Sequence, residues 1–309
     1  MPELPDVTVY VEHLERRLVG ATLERVSVAN PNLLRTYAPP VTAAIGRRVV
    51  GVERLGKRIV IAFQDELFFV LHLMIAGRLL WAPAGALPAK TGKIGSAIFG
   101  FSSGTLSLTE AGTQKRAALH VFEGRAAVDE LHAGGVEPLA ATPATFRAAL
   151  TAENHTLKRA LTDPRFLSGI GGAYSDEILH RARLSPLRQT RQLGDAEWAG
   201  LFAATQAVLI EWTARLREGA GEAFPAKVTA FRPEMAVHGR YGKPCPVCGA
   251  PVQRIVYASN ETNYCATCQT GGRLLADRSL SRLLRGDWPR TLEELEEQRR
   301  GRGGAGGGS

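Results

Sequence analysis

The sequence predicts a multidomain α+β protein, and three observations carry that prediction. One helical pattern at the start gives way to a long series of short strand-like runs, helical patterns return after Thr142, and all four cysteines gather in one unit near the C-terminal end. With 309 residues the chain is long enough for two domains and smaller attachments. Hydrophobic residues make up 45% and charged residues 22%, the balance of an ordinary soluble protein.

Residues 5–18 read as a helix, because Val7, Tyr10, Val11, Leu14 and Leu18 recur at helical spacing and Gly20 stands where a C-terminal cap belongs. Strand candidates follow at 23–28, 58–63, 67–71, 97–101, 105–108 and 117–122, separated by Gly, Pro and polar turns, which suits a β-sandwich or a barrel. The segment 83–95 reads as a mobile loop. Thr142-Pro143 fits an N-cap followed by proline in the first helical turn, and helices are expected at 144–151, 155–161, 174–182 and 195–217. Residues 239–270 form the cysteine-bearing unit, and the Gly-rich end 301–309 is expected to be disordered.

No run approaches the roughly 18 apolar residues that cross a bilayer, and the run 67–76 is interrupted by His72. The first residues lack a basic segment followed by an apolar one, so the expectation is a cytoplasmic protein without a membrane partner. The net charge of +8 favours a polyanionic partner, since each neutralised phosphate releases counterions.

Cys245-Pro-Val-Cys248 and Cys265-Ala-Thr-Cys268 form two Cys-x-x-Cys turns. Such turns let two thiolates converge on one tetrahedral ion, so the four cysteines predict a closed Cys₄ site for one structural zinc ion. Residues 253–257 between the pairs read as a strand, which makes a β-hairpin finger. Zinc ribbons also occur in proteins that bind RNA or other proteins, so the finger alone leaves the function open.

The chain opens Met1-Pro2-Glu3-Leu4-Pro5-Asp6. Removal of Met1 would turn Pro2 into an N-terminal secondary amine. An α-amino group titrates near about 8, against about 10.4 for lysine, and supplies far more free base at neutral pH. Its attack on C1′ of a sugar gives an iminium that acidifies C2′, with Glu3 placed beside it as acid or base.

Met1-Pro2-Glu3-Leu4-Pro5-Asp6-Val7, Gly56-Lys57, His72-Leu73 followed by Ala76-Gly77, Gly169-Ile170-Gly171-Gly172-Ala173-Tyr174-Ser175-Asp176-Glu177-Ile178-Leu179 and the Cys₄ finger occur in one order. Together they resemble the formamidopyrimidine-DNA glycosylase/endonuclease VIII family, over roughly residues 2–270. The resemblance implies a catalytic β-sandwich over 2–138, a helix–two-turn–helix DNA-binding domain over 139–235, a zinc finger over 236–270 and an extension over 271–309. It further implies a monomeric DNA repair glycosylase and abasic-site lyase acting on damaged, abasic or single-stranded DNA. Pro2 would be the nucleophile and Glu3 the catalytic acid, with DNA contacts at Lys57, His72, Arg116, Lys158 and Gly172. Physically, the turn at 169–172 suits a phosphate cradle of backbone N–H groups, although the same glycines also serve close packing.

Several positions depart from the family pattern. Gly172 stands where an asparagine is usual, Asn260 where the finger carries an arginine, and Ile75 where a methionine wedge belongs. Glu110-Ala111-Gly112-Thr113-Gln114-Lys115-Arg116-Ala117 replaces the segment that supplies an arginine and an aromatic wedge. Wedges fill the hole left by a flipped nucleotide, so their loss points to single-stranded or distorted DNA as the preferred substrate. The alternative is a non-catalytic protein binding abasic, single-stranded or crosslinked DNA, which the lost contacts favour and the retained Pro2 and Glu3 oppose.

Overall fold

The computed structural model describes residues 1–87, 92–112, 114–225, 228–229, 231–257, 260–275, 289–295 and 297. The expectations for the centre of the 83–95 loop, for most of the extension and for the Gly-rich end lie outside these residues. Two compact units are formed. The first comprises Met1–Ala140, Pro164–Ile170 and Leu209–Ala230; the second comprises Ala141–Asp163, Gly171–Val208 and Phe231–Ser309.

Helix α1 (Leu4–Leu18) opens the first unit and buries Val7, Tyr10, Leu14 and Leu18, the residues whose spacing predicts it. Eight strands follow: β1 (Leu23–Val28), β2 (Val49–Leu55), β3 (Arg58–Phe63), β4 (Leu67–His72), β5 (Gly77–Pro83), β6 (Gly95–Phe101), β7 (Gly104–Glu110) and β8 (Ala118–Glu123). They form two antiparallel four-stranded sheets, ordered β1-β6-β7-β5 and β2-β3-β4-β8, so the sandwich is realised. Phe63, Phe69 and Phe99 interlock in the shared core, with ring centroids 4.9 and 5.9 Å apart. Strand β4 is apolar at consecutive positions because its second face is also covered, Phe68 and Val70 packing with Val128 of the short helix α2 (Arg125–Asp129).

Two strands escape the sequence reading. Gly51, Glu53 and Arg54 interrupt the apolar pattern of β2, which is held instead by its hairpin with β3. Strand β5 is an edge strand running from Gly77 to Pro83, and its Leu79-Leu80-Trp81 run lacks alternation.

In the second unit Thr142 caps α3 (Pro143–Thr151) through a capping box, and Thr156 caps α4 (Leu157–Thr162). Helix α5 (Gly172–Arg181) starts two residues before the expected helix. Helix α6 (Asp195–Ala220) contributes its residues through Val208 to the second unit and those from Leu209 to the first. The finger consists of the hairpin β9 (Gln253–Tyr257) and β10 (Asn260–Tyr264), followed by α7 (Ala266–Thr270).

The described part of the C-terminal extension lies on this finger. Leu274 N–H donates to the Arg290 carbonyl at 2.8 Å, and Arg273 bridges Thr291. Leu292 and Leu295 pack with Tyr264, Ala266 and Leu274, and the Tyr264 hydroxyl accepts the Leu275 N–H at 2.7 Å. Replacing Leu292 and Leu295 by Asp should remove about 1–2 kcal/mol of apolar stabilisation per side chain. Faster amide exchange in β10 and α7, with β3 and β4 unchanged, is the expected result.

Candidate active site and metal centre

The N-terminus is fixed by its attachment to the segment 164–170 of the same unit. Leu4 N–H donates to the Gly169 carbonyl at 2.9 Å, and Glu3 N–H donates to Asp6 Oδ2 at 3.0 Å. Gly169 has φ +84°, and a Cβ there would lie 2.9 Å from Leu4 Cβ and 3.1 Å from an Arg54 nitrogen. This glycine therefore serves close approach of α1, the packing role, while Gly171 and Gly172 form the N-terminal boundary of α5. Segment 164–170 is itself tied down, Val136 N–H donating to Phe166 O and Ser168 N–H to Val136 O, both at 2.9 Å.

Pro2 and Glu3 are buried, Glu3 with only 3% of its surface exposed. Beside them lies a cavity of about 300 Å³, lined by Met1, Lys57, Arg58, His72, Met74 and Ser168 among others. Lys57 reaches it from the β2–β3 turn, where Gly56 takes φ +62°. Arg54 steadies that turn, donating to the Gly56 carbonyl at 2.9 Å and pairing with Glu137. Burial lowers the α-amine of Met1 from its ordinary value; Glu3 and Asp6 oppose the shift, while Arg78 and Lys57 assist it.

His72 is held neutral. Burial, then Arg58, Lys57 and His120, push its imidazole down to about 4. Its expected place beside a phosphate is thus that of an uncharged hydrogen-bonding group.

The turn between β4 and β5 closes with Gly77 N–H on the Leu73 carbonyl at 2.9 Å. Met74 takes φ +51° and faces the cavity, leaving Ile75 64% exposed at the tip. The neighbouring loop approaches it, since a Cβ on Gly112 would lie 3.3 Å from Ala76 Cβ. Glu110 clasps that loop, one carboxylate oxygen accepting N–H groups of Arg116 and Ala117. The Arg116 side chain is bonded to Gln114, and Lys115 Nζ to the Lys93 carbonyl at 2.9 Å.

In the second unit Lys158 Nζ lies at the first turn of α5, 2.6 Å from the Gly172 carbonyl, and forms an ion pair with the buried Asp176. Asp176 also accepts from His238 Nδ1 at 2.8 Å and from Asn263 N–H at 3.2 Å. Nothing lies within 4 Å of a Cβ built on Gly172, so the position where an asparagine is expected is open. Asn260 opens β10, and its side chain lies outside what is described.

All four cysteine sulfurs lie within 4.8 Å of one another, with Cys245–Cys268 at 3.9 Å and Cys248–Cys265 at 3.4 Å. Four thiolates about 2.3 Å from one tetrahedral zinc would be about 3.8 Å apart, so the cluster fits one structural zinc ion. Cys265 Sγ accepts the Cys268 N–H as the N-cap of α7. Burial raises the Cys265 and Cys268 thiols, the latter to about 11. A divalent cation offsets this by stabilising the thiolates.

Several residues that shape these sites carry no sequence signal of their role. Arg54 belongs to no motif, Glu110 stands only as the first residue of the segment that departs from the family pattern, and Asp176 and Glu177 stand only as part of the glycine-led motif and its helix. The carboxylate of Glu177 accepts N–H groups of Ala236, Val237 and His238 at 2.7–3.0 Å. Their roles arise from partners far away in the chain.

The helix-bearing sandwich, the glycine-opened helix and the four-cysteine hairpin define a multidomain zinc-finger protein. The formamidopyrimidine-DNA glycosylase N-terminal domain matches residues 1–116, its H2TH domain matches 135–220, and the zinc finger found in that glycosylase and in isoleucyl-tRNA synthetase matches 242–271. A formamidopyrimidine-DNA glycosylase of Thermus thermophilus is 33% identical, over 88% of this chain and all of that relative. An uncharacterised formamidopyrimidine-DNA glycosylase-like protein of Mycobacterium tuberculosis is 42% identical over 42% of this chain and 80% of its own length. The crystal structure of the MutM (Fpg) protein from Thermus thermophilus superposes with a TM-score of 0.71 at 30% identity, covering 87% of this chain and 98% of that one. The chain belongs to the formamidopyrimidine-DNA glycosylase family.

The neutral His72 makes stability pH-dependent. Its folded value lies below the ordinary value of about 6.5, so on acidification the unfolded chain binds a proton that the folded chain resists. Stability is therefore lost as pH falls from about 6.5 toward about 4. His72→Gln should lose less over this window than wild type, by at most about 3 kcal/mol. Urea midpoints compared at pH 7 and pH 4.5 measure the difference, and equal losses in the two proteins would contradict it.

Proposed function

We propose that the chain is a bifunctional DNA glycosylase and abasic-site lyase whose nucleophile is Pro2, exposed by removal of Met1, with Glu3 as acid–base. The observation that carries this reading is the burial of Pro2 and Glu3 beside a cavity lined by Lys57 and His72. An amine at this terminus is desolvated, which leaves more of it unprotonated at neutral pH. Family membership brings the expectation of a damaged nucleotide in DNA. A solved Lactococcus lactis relative holds DNA containing an abasic site; at 23% identity and a TM-score of 0.75 its likeness is one of fold.

In the proposed reaction the Pro2 nitrogen lone pair forms a bond to C1′ as the glycosidic bond breaks, and the base leaves with the proton that the Pro2 nitrogen gives up. The C1′–O4′ bond then opens to the iminium, and O4′ takes a proton from the carboxyl of Glu3. Loss of the C2′ proton expels the 3′ phosphate, and water releases the sugar from Pro2. Lys57 and Lys158 serve the phosphates as cations and His72 as an uncharged donor, while Ile75 and Arg116 stand where wedges would act. Asp176 balances the charge of Lys158, so that lysine contributes geometry more than net attraction.

Borohydride should trap a covalent adduct between the protein and abasic DNA, and peptide mapping should place it on Pro2. Glu3→Gln should slow base excision more than cleavage at a pre-formed abasic site, whose hemiacetal sugar already opens to an aldehyde without the Glu3 proton. Binding without trapping would identify a non-catalytic binder, and undiminished trapping with a blocked N-terminus would move the nucleophile to a lysine.

The substrate class follows from the open space at Gly172 and from wedge positions left to Ile75 and Arg116, which lack an aromatic ring. Flipping from duplex costs a few kcal/mol that wedges and phosphate grips help to offset, whereas single strands and abasic sites demand less. Activity on single-stranded or distorted DNA should therefore exceed that on well-stacked duplex at matched salt. Gly172→Asn adds a phosphate donor without a clash and should tighten duplex binding about tenfold while lowering the single-strand to duplex ratio. An unchanged duplex affinity would show that Gly172 does not face the DNA backbone.

A further inference from the structure

The zinc cluster has a side-chain neighbour outside its four ligands. His180 lies in the last turn of α5, is only 6% exposed, and places Nε2 3.2 Å from Cys245 Sγ. Cys245 is buried too, packing with Val237, Val252 and Cys265. The finger is also tied to this part of the chain by Gln269, whose Nε2 donates to the Leu184 carbonyl at 2.9 Å while its Oε1 accepts the Cys265 N–H at 2.8 Å. Among the described residues, His180 is the side chain of a separate helix that reaches a cysteine sulfur directly.

Four thiolates around one divalent ion leave a surplus of negative charge in a partly buried place. Donors to the sulfurs reduce that surplus and orient the ligands. One is the backbone N–H of Cys268 on Cys265 Sγ at 3.5 Å, which arises from the Cys-x-x-Cys turn itself. The imidazole of His180 comes from another element, so its bond to Cys245 depends on how α5 packs against the finger.

We propose that His180 is a positioning residue of the zinc centre, its Nε2–H donating to the Cys245 thiolate and drawing electron density from that sulfur. The bond strengthens zinc retention and makes Cys245 the less reactive sulfur toward electrophiles. It also links metal loading to the placement of α5, the helix whose first turn carries Gly172 and whose Asp176 holds Lys158.

The test uses the full-length protein loaded with cobalt(II), whose sulfur-to-metal charge-transfer bands report electron density on the thiolates. His180→Leu removes the donor, and His180→Gln keeps an N–H at similar reach. The expected result is a shift of the bands to longer wavelength and about tenfold weaker zinc binding in competition with a chelator for His180→Leu, with substantial recovery in His180→Gln. Spectra and affinity of folded His180→Leu matching wild type would overturn the proposal. Should His180→Leu fail to fold, the wild-type protein loaded with cadmium-113 decides. A scalar coupling between cadmium and the His180 Hε2 proton supports the bond, and its absence in a well-resolved spectrum overturns it.

Discussion

The bond from Leu4 N–H to the Gly169 carbonyl is the contact on which the proposed active site depends. It binds the first turn of α1 to a segment that joins the first unit only after the chain has passed through α3 and α4. A backbone with φ +84° and no Cβ is what lets the two strands of chain come this close. The apolar stripe of α1 sinks into the sandwich and supplies the anchoring energy, while this bond sets where the helix begins. Pro2 and Glu3 thus end in a buried position that the first turn of α1 would not hold without this partner segment.

Around that point the charges are arranged to avoid crowding. Lys57, Arg58, His72 and the terminal amine share one cavity, and all of them protonated would repel one another. The fold relieves this through burial, which keeps His72 uncharged and lowers the terminal amine. Desolvation leaves His72 an uncharged hydrogen-bonding group and weakens the hold of the Met1 amine on its proton.

The second unit is organised by carboxylates rather than by a large apolar core around its finger. Asp176 and Glu177 are both buried, and each is satisfied by several donors drawn from α4, from the segment before the finger, or from β10. A buried carboxylate without such partners would cost several kcal/mol, so the pair ties these segments to α5 strongly. Zinc and the C-terminal extension act on the other faces of the finger, which is too small to bury a core of its own.

Local chemistry alone made a large part of this protein legible in its sequence. The Cys-x-x-Cys pairs, the stripe of α1, the threonine caps of α3 and α4 and most strands are short-range patterns whose physical consequence does not depend on distant residues. Strands β2 and β5 were not legible, because their apolar signals are broken and pairing with β3 and β7 holds them in place. The order of motifs pointed to Pro2, Glu3, Lys57, His72, Lys158 and the glycines, yet their states came from the tertiary structure. His72 is neutral because Arg58, Lys57 and His120 surround it, Lys158 is paired because Asp176 is buried beside it, and Gly169 serves packing because Leu4 lies against it. Each of these depends on groups separated along the chain and adjacent only after folding, where burial and proximity decide charge.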